Sequence, residues 1–289
     1  KGLDETLALV DRGANLKATG NIKINSGTNT IGYGLVMSNL SLIESINSDV
    51  NINASGEIQI NGVVQALSSS GDIAINSNSS IYINSLINAT NTIRLSGGMN
   101  NNTKIGIYID TKGSINTLEN GTVTITSIDG VYNKGVIGES QIIDDELVAT
   151  LKSVDMTSSK GDITIAGSVD VKESINVKAM NINVLYPGRF YTTSVDSTIR
   201  LNATSQIFVD ANGVVNADKL IHLYASTLKV SGNIDTRATT SNIYLSAKKS
   251  IEVKGTIDSK DIIAYSGILS TWSMNDIETS NAKVNKDDL

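Results

Sequence analysis

Apolar-x-apolar triplets recur along this chain at intervals near twenty residues, and few folds can use such a pattern. The stretch KGDITIAGSVDVKESINVKAMNINV, residues 160–184, holds four of them: Ile163/Ile165, Val169/Val171, Ile175/Val177 and Ile182/Val184. Each has the period-2 alternation of a half-buried strand and is too short for a helix. Ile163 and Ile182 lie 19 residues apart with two triplets between them, so the fourth triplet reads as the first come round again. The local pattern therefore predicts a coil of three short strands.

The coil recurs. Ile52, Ile73 and Ile93 head triplets 21 and 20 residues apart, and Ile163, Ile182, Ile199, Ile221, Ile243 and Ile262 follow at steps of 19, 17, 22, 22 and 19. A shorter offset of 8 links Ile73 to Ile81, Ile199 to Ile207 and Ile243 to Ile251. One such turn cannot cover its own apolar face, whereas each added turn buries its neighbour's. The expected fold is all-β, a single right-handed parallel β-helix over residues 1–289 with about 20 residues per coil. At a strand spacing of about 4.8 Å, about 14 turns would make a rod roughly 65–70 Å long.

Composition agrees with a narrow core. Hydrophobic residues make up 40% of the chain but aromatics only 4%, and Ile and Val suit a pleated, half-buried surface. A single proline, Pro187, fits a backbone that must donate a ladder hydrogen bond at most positions. Asparagines at strand edges and corners, among them Asn25, Asn53, Asn61, Asn76, Asn84, Asn183 and Asn202, are expected to align along the axis as amide ladders. A net charge of -6 with no basic run argues against nucleic acid as a partner and against strong attraction to anionic lipids. No apolar stretch approaches the length of a spanning helix. The chain has no cysteine, which suits passage through an export pore unfolded, and it opens at Lys1 without an initiator Met, so it reads as an interior piece.

Two regions depart from the repeat. Residues 126–158 lose the regular triplets, and DDELVATLKSV reads as a short amphipathic helix in an irregular insertion. Asp144 would cap it, Asp145 and Glu146 suit its first turn, and Leu147, Val148, Leu151 and Val154 would share one face. Such a helix would either cover the core or present a contact surface. The second departure, YPGRFYTTS at 186–194, reads as an aromatic loop after a Pro-Gly turn. Its Tyr186, Arg189, Phe190 and Tyr191 are the candidate ligand or partner contacts, since rings beside an arginine can stack on a sugar or hold a protein partner.

The residues give little to an enzyme. His222 is the sole histidine, and KLIHLYA turns it outward between Ile221 and Leu223, so neither a multi-histidine zinc site nor an obvious Ser-His-Asp triad is expected. Asp110, Asp162, Asp170 and Asp210 lie on or beside strands of different turns, where a β-helical polysaccharide-degrading enzyme would carry its carboxylates. No phosphate-loop or calcium-nonapeptide motif occurs. No catalytic, cofactor-binding or metal-binding residue is expected.

GDITIAGSVDVKESINVKAMNINV, SGEIQINGVVQALSSSGDIAIN and SNIYLSAKKSIEVKGTIDSKDII resemble the repeats of filamentous-haemagglutinin-like exoproteins. These bacterial proteins leave by two-partner secretion and include adhesins, contact-dependent inhibition effectors and leukotoxins. GIYIDTKGSINTLENGTVTIT, residues 106–126, equally resembles autotransporter passenger repeats, and the Asn-Pro motifs of the two-partner secretion domain are missing. The resemblance implies a monomeric stalk, secreted or at the bacterial cell surface, that serves adhesion or presents a toxic or receptor-binding region. Its implied partners are an outer-membrane transporter during export and a receptor or glycan on a host or neighbouring cell. A leukotoxin segment acting directly on host cells, an autotransporter passenger and a polysaccharide-degrading enzyme are the alternatives.

Overall fold

A computed structural model describes residues 8–267 except 11–12, 28–31, 101, 119 and 144–145. The described chain is all-β, a parallel solenoid of about 10 turns of roughly 23 residues. Each turn lays one strand on each of three faces in the order 1, 2, 3. Face 1 runs from Ile22–Ser26 to Asp261–Ser266, face 2 from Ala8–Val10 to the second part of Asn242–Val253, and face 3 from Asn15–Ala18 to Thr256–Asp258. The strands of face 3 form an 11-stranded sheet in chain order, and faces 1 and 2 join in one 18-stranded sheet.

Alternation along each strand sends every second side chain inward, and the parallel register stacks those side chains into columns. On face 1, Ile24, Ile52, Ile75, Leu95, Ile125, Met156, Val177, Leu201, Leu223, Leu245 and Ala264 form one unbroken column. Nearly all are fully buried. Each buried aliphatic side chain contributes about 1.5–3 kcal/mol, an upper bound because the unfolded chain already hides part of its surface. The fold is thus held by many equal small terms, each depending on the coil above and below. Polar residues also enter the columns, Ser45, Thr117 and Thr192 on face 3 among them; Asn133, fully buried on face 2, donates to the Ser168 carbonyl at 3.2 Å and accepts from the Gly135 N–H at 3.0 Å. The Asn133 amide is satisfied, which makes its burial tolerable.

Several expectations need correction. Ile163 does stack on Ile182, but Ile182 then stacks on Ile207 of face 2, while Ile199 follows Ile175 on face 1. Likewise Val50, not Ile52, lies under Ile73. The steps near twenty therefore mix two faces, and the true coil is longer. About 10 turns rather than 14 shorten the described rod to about 50 Å.

The expected helix is absent. Ser140–Ile143 and Glu146–Ala149 pair antiparallel, with Ile142 opposite Leu147 and Gln141 opposite Val148, while Asp144 and Asp145 lie outside the described residues. Two four-residue runs so close in sequence suit a hairpin, and the β-branched Ile142, Ile143 and Val148 favour it over a helix. Leu151 and Val154 belong to the solenoid core instead. Most of 126–158 is regular as well: Gly130–Asn133, Val136–Ile137 and Ser153–Ser158 all pair in register with neighbouring coils. The departure is confined to the hairpin between faces 3 and 1.

The aromatic stretch is also mostly regular. Residues 185–188 make the turn, with a cis Tyr186–Pro187 peptide, and Arg189–Thr192 is a strand of face 3.

Candidate functional site

The strand Arg189–Thr192 separates the four residues that the sequence groups together. Phe190 points inward, takes its place between Val169 and Val215 in the face-3 column, and is fully buried. Arg189 points outward and meets Asp170 on the preceding coil, Nε to Oδ1 at 2.9 Å and Nη2 to Oδ2 at 2.5 Å. Asp170 is only 2% exposed, so this bidentate pair neutralises a buried charge. Tyr191 lies beneath Arg237, whose Cζ sits 4.9 Å from the ring centroid and whose Nη1 donates to the Tyr191 hydroxyl at 2.5 Å. Arg237 Nη2 also donates to the Thr192 carbonyl at 2.6 Å. Only Tyr186, 67% exposed, stands clear at the turn. One of the four is core, two are engaged along face 3, and one is a turn residue.

The structure assembles a different group on face 2. Tyr82, Tyr108 and Tyr132 occupy one outward register on three successive coils. Their ring centroids are 5.8 and 5.7 Å apart, the second pair stacked at 19°. The Lys134 ammonium caps both lower rings at 5.7 and 5.4 Å, and its hydrogen bond with the Tyr108 hydroxyl raises its pKa. The signal in the sequence was Ile-Tyr-Ile at 81–83 and again at 107–109, followed by Val-Tyr at 131–132. It goes unseen when only the apolar partners are counted.

A ridge rises beside this ladder, at the corner between faces 1 and 2. It consists of residues 98–100 and 102–104 and is pinned through Asn100. The Asn100 N–H donates to Asp129 Oδ2 at 2.6 Å, and its side-chain amide donates to Ser80 Oγ at 2.6 Å. Asn100 Oδ1 accepts from the N–H groups of Asn102 and Thr103 at 3.1 Å each. On one side of the ridge a groove of about 430 Å³ is rich in hydroxyls, among them Ser77, Ser96, Thr126 and Thr157.

On the other side lies a groove of about 420 Å³ that reaches the last tyrosine of the ladder. Lys104, Asp129, Tyr132, Lys160, Asp162 and Thr164 line it. Gly130 and Gly161 keep its floor low: a Cβ on Gly130 would come within 2.8 Å of the Asp162 carbonyl, and one on Gly161 would collide with the Gly130 backbone. Coils pack this closely only without side chains at those two points.

The polar residues that the sequence singles out lie apart from one another. His222 is fully buried, contrary to the expected exposure: Arg200 and Tyr244 flank it on the neighbouring coils, with the Tyr244 ring centroid at 5.5 Å. Asp110 and Asp210 each accept an N–H bond at 2.8 Å from the next residue and so shape the turns after face 2. Asp162 lies at the other corner and Asp170 on face 3, so these four carboxylates do not converge. Among the described residues no three metal-ligating His, Cys, Asp or Glu side chains cluster. Amide ladders form in short runs: Asn76 donates to Asn53 at 2.9 Å, Asn53 to Asn25 at 3.2 Å, and Asn84 to Asn61 at 3.2 Å. Asn183 instead meets Thr164 at 3.4 Å.

No family model matches the chain, nor does any curated protein or solved structure match it.

Proposed function

We propose that this chain is an extended β-helical stalk segment of a large secreted or cell-surface bacterial exoprotein. In this reading it serves adhesion, or holds a toxic or receptor-binding region away from the cell, and carries out no catalysis. The observation that carries the reading is the unbroken core column from Ile24 to Ala264. Each coil extends the rod by about one strand spacing without thickening it, so added sequence becomes length. That is the property a spacer needs. The corner ridge and its grooves supply places on the outside where a receptor or glycan on another cell could be met without disturbing the core.

The test is where the protein is found and what shape it has. Antibody against this chain should label intact, unpermeabilised cells of the source bacterium or detect the protein in the medium. Small-angle scattering of the purified chain should give an elongated particle whose long axis, about 50 Å over the described turns, is about twice its width. Labelling only after permeabilisation, or a compact isotropic particle, would overturn the proposal.

A further inference from the structure

The groove beside the ridge combines apolar surface with two carboxylates and two ammonium groups, neutral in sum, and includes the Tyr132 ring, and those properties together point to a ligand class. We infer that it binds a short neutral oligosaccharide, gripping vicinal hydroxyls with carboxylates and ammonium groups while one sugar face rests near Tyr132. The inference rests on the surface-scaffold reading for its setting, and its chemistry stands on the following contacts.

Asp129 and Asp162 each spend one carboxylate oxygen on the protein. Asp129 Oδ2 accepts from the Asn100 N–H at 2.6 Å, and Asp162 Oδ1 accepts from Asn181 Nδ2 at 2.8 Å. Each retains a second oxygen as an acceptor. Lys104 and Lys160, both exposed, form no ion pair among the described residues and supply donors. A sugar hydroxyl both donates and accepts, so alternating carboxylates and ammonium groups suit it. The Tyr132 ring and the Met180 side chain, 44% exposed, add apolar surface for the C–H face of a pyranose.

Other ligand classes fit less well. Two carboxylates in the groove oppose a phosphate or sulfate chain, and two lysines only balance them. An extended peptide would need an open strand edge, yet the strands here are paired on both sides: Gly130–Asn133 lies between Ile105–Ile109 and Ile163–Ile165. The groove crosses from the coil of Lys104 to that of Met180, about 14 Å along the axis, which favours several sugar rings over one.

Saturation-transfer NMR and calorimetry on the full chain, with maltotriose, cellotriose, mannotriose and chitotriose as probes, test the inference. At least one should bind, and Tyr132→Ala and Asp162→Asn should each weaken it tenfold or more. Lys219→Ala, at a distant coil, should leave it unchanged. Lys160→Gln is an exposed change that tests the same groove even if another variant misfolds, and should weaken binding at least threefold. Binding by none of the four, indifference to Tyr132→Ala and Lys160→Gln, or binding only of a sulfated heparin tetrasaccharide would overturn the inference. None of these outcomes would alter the rod shape or surface labelling, so the stalk reading can stand or fall separately.

Discussion

In the first part of the rod, faces 1 and 2 are separate strands joined by corners of variable length. In the later part they run together as bent strands of 11 or 12 residues: Ser174–Val184, Thr198–Val209, Leu220–Val230 and Asn242–Val253. Register irregularities near Met180, between Asn202 and Gln206, and between Ala225 and Thr227 mark where those strands turn the corner. Both parts carry the same inward columns. They differ in what the corners hold. Leu86 pairs with Ser114 and Val136 with Ser168, steps of 28 and 32 residues, whereas Val214 pairs with Asn233, a step of 19. The extra residues of the long coils include the ridge around Asn100 and the paired strands Ser140–Ile143 and Glu146–Ala149, neither of which adds a strand to the three faces. An inward residue is held from above and below, so it cannot be displaced cheaply; a corner need only close. Variation, and with it the candidate site, collects at the corners of the first part.

If the core is equally tight in both parts, large-to-small changes in one column should cost alike. Phe190→Ala, in the later part, should lose about 3–5 kcal/mol in a denaturant titration, and Ile115→Ala, earlier in the same face-3 column, about 2–5 kcal/mol. A cost below about 1 kcal/mol at Ile115 would break the equivalence. Next in size, Arg189→Ala strands the buried carboxylate of Asp170. Full burial of the pair would make that worth about 3–5 kcal/mol; because Arg189 is 41% exposed, water softens it to about 2 kcal/mol. Unchanged stability together with lost glycan or receptor binding would instead restore Arg189 as a contact residue.

Tyr108→Ala removes two ring contacts and a lysine cap from the earlier part and should cost about 1–2 kcal/mol. Because a solenoid couples nearest neighbours, hydrogen exchange should speed up around residues 82, 108 and 132 and stay unchanged in the later bent strands. A uniform acceleration would show the two parts to be one cooperative unit.

The smallest effect sharpens the later part. Burial raises the Asp235 pKa above its ordinary 3.8, and the facing Asp258 adds to the shift. The folded chain then binds this proton more tightly than the unfolded chain, so the ionised group costs stability at neutral pH. That cost fades as pH falls through the raised value and is gone below 3.8. Asp235→Asn should therefore stabilise at pH 7 by less than about 1 kcal/mol, with the gain vanishing in acid; a gain that grows in acid would contradict the assignment.

Much of the architecture was legible because period-2 alternation and β-branched content are local. Ile163/Ile165, Val169/Val171 and Ile175/Val177 do lie on three different faces of one coil. The number of turns was not, since Ile182 and Ile199 look equivalent in the chain while belonging to different faces. The hairpin was misread as a helix because Leu147, Val148, Leu151 and Val154 satisfy a helical spacing, and only pairing with Ser140–Ile143 decides otherwise. Tyr186, Arg189, Phe190 and Tyr191 are close in sequence, but strand alternation turns Phe190 inward and Arg189 and Tyr191 outward, while Tyr186 stays in the turn.

By itself, the sequence determined that this chain must stack short strands: no single coil can bury its isoleucines, and a chain with one proline and no cysteine offers no other staple. Only the tertiary structure decided which residues meet on the outside. Tyr82, Tyr108 and Tyr132, or Lys104, Asp129 and Asp162, come together through coil register, and register depends on how many residues each corner absorbs. That count is settled by closure of the whole turn against its neighbours, which no local stretch records.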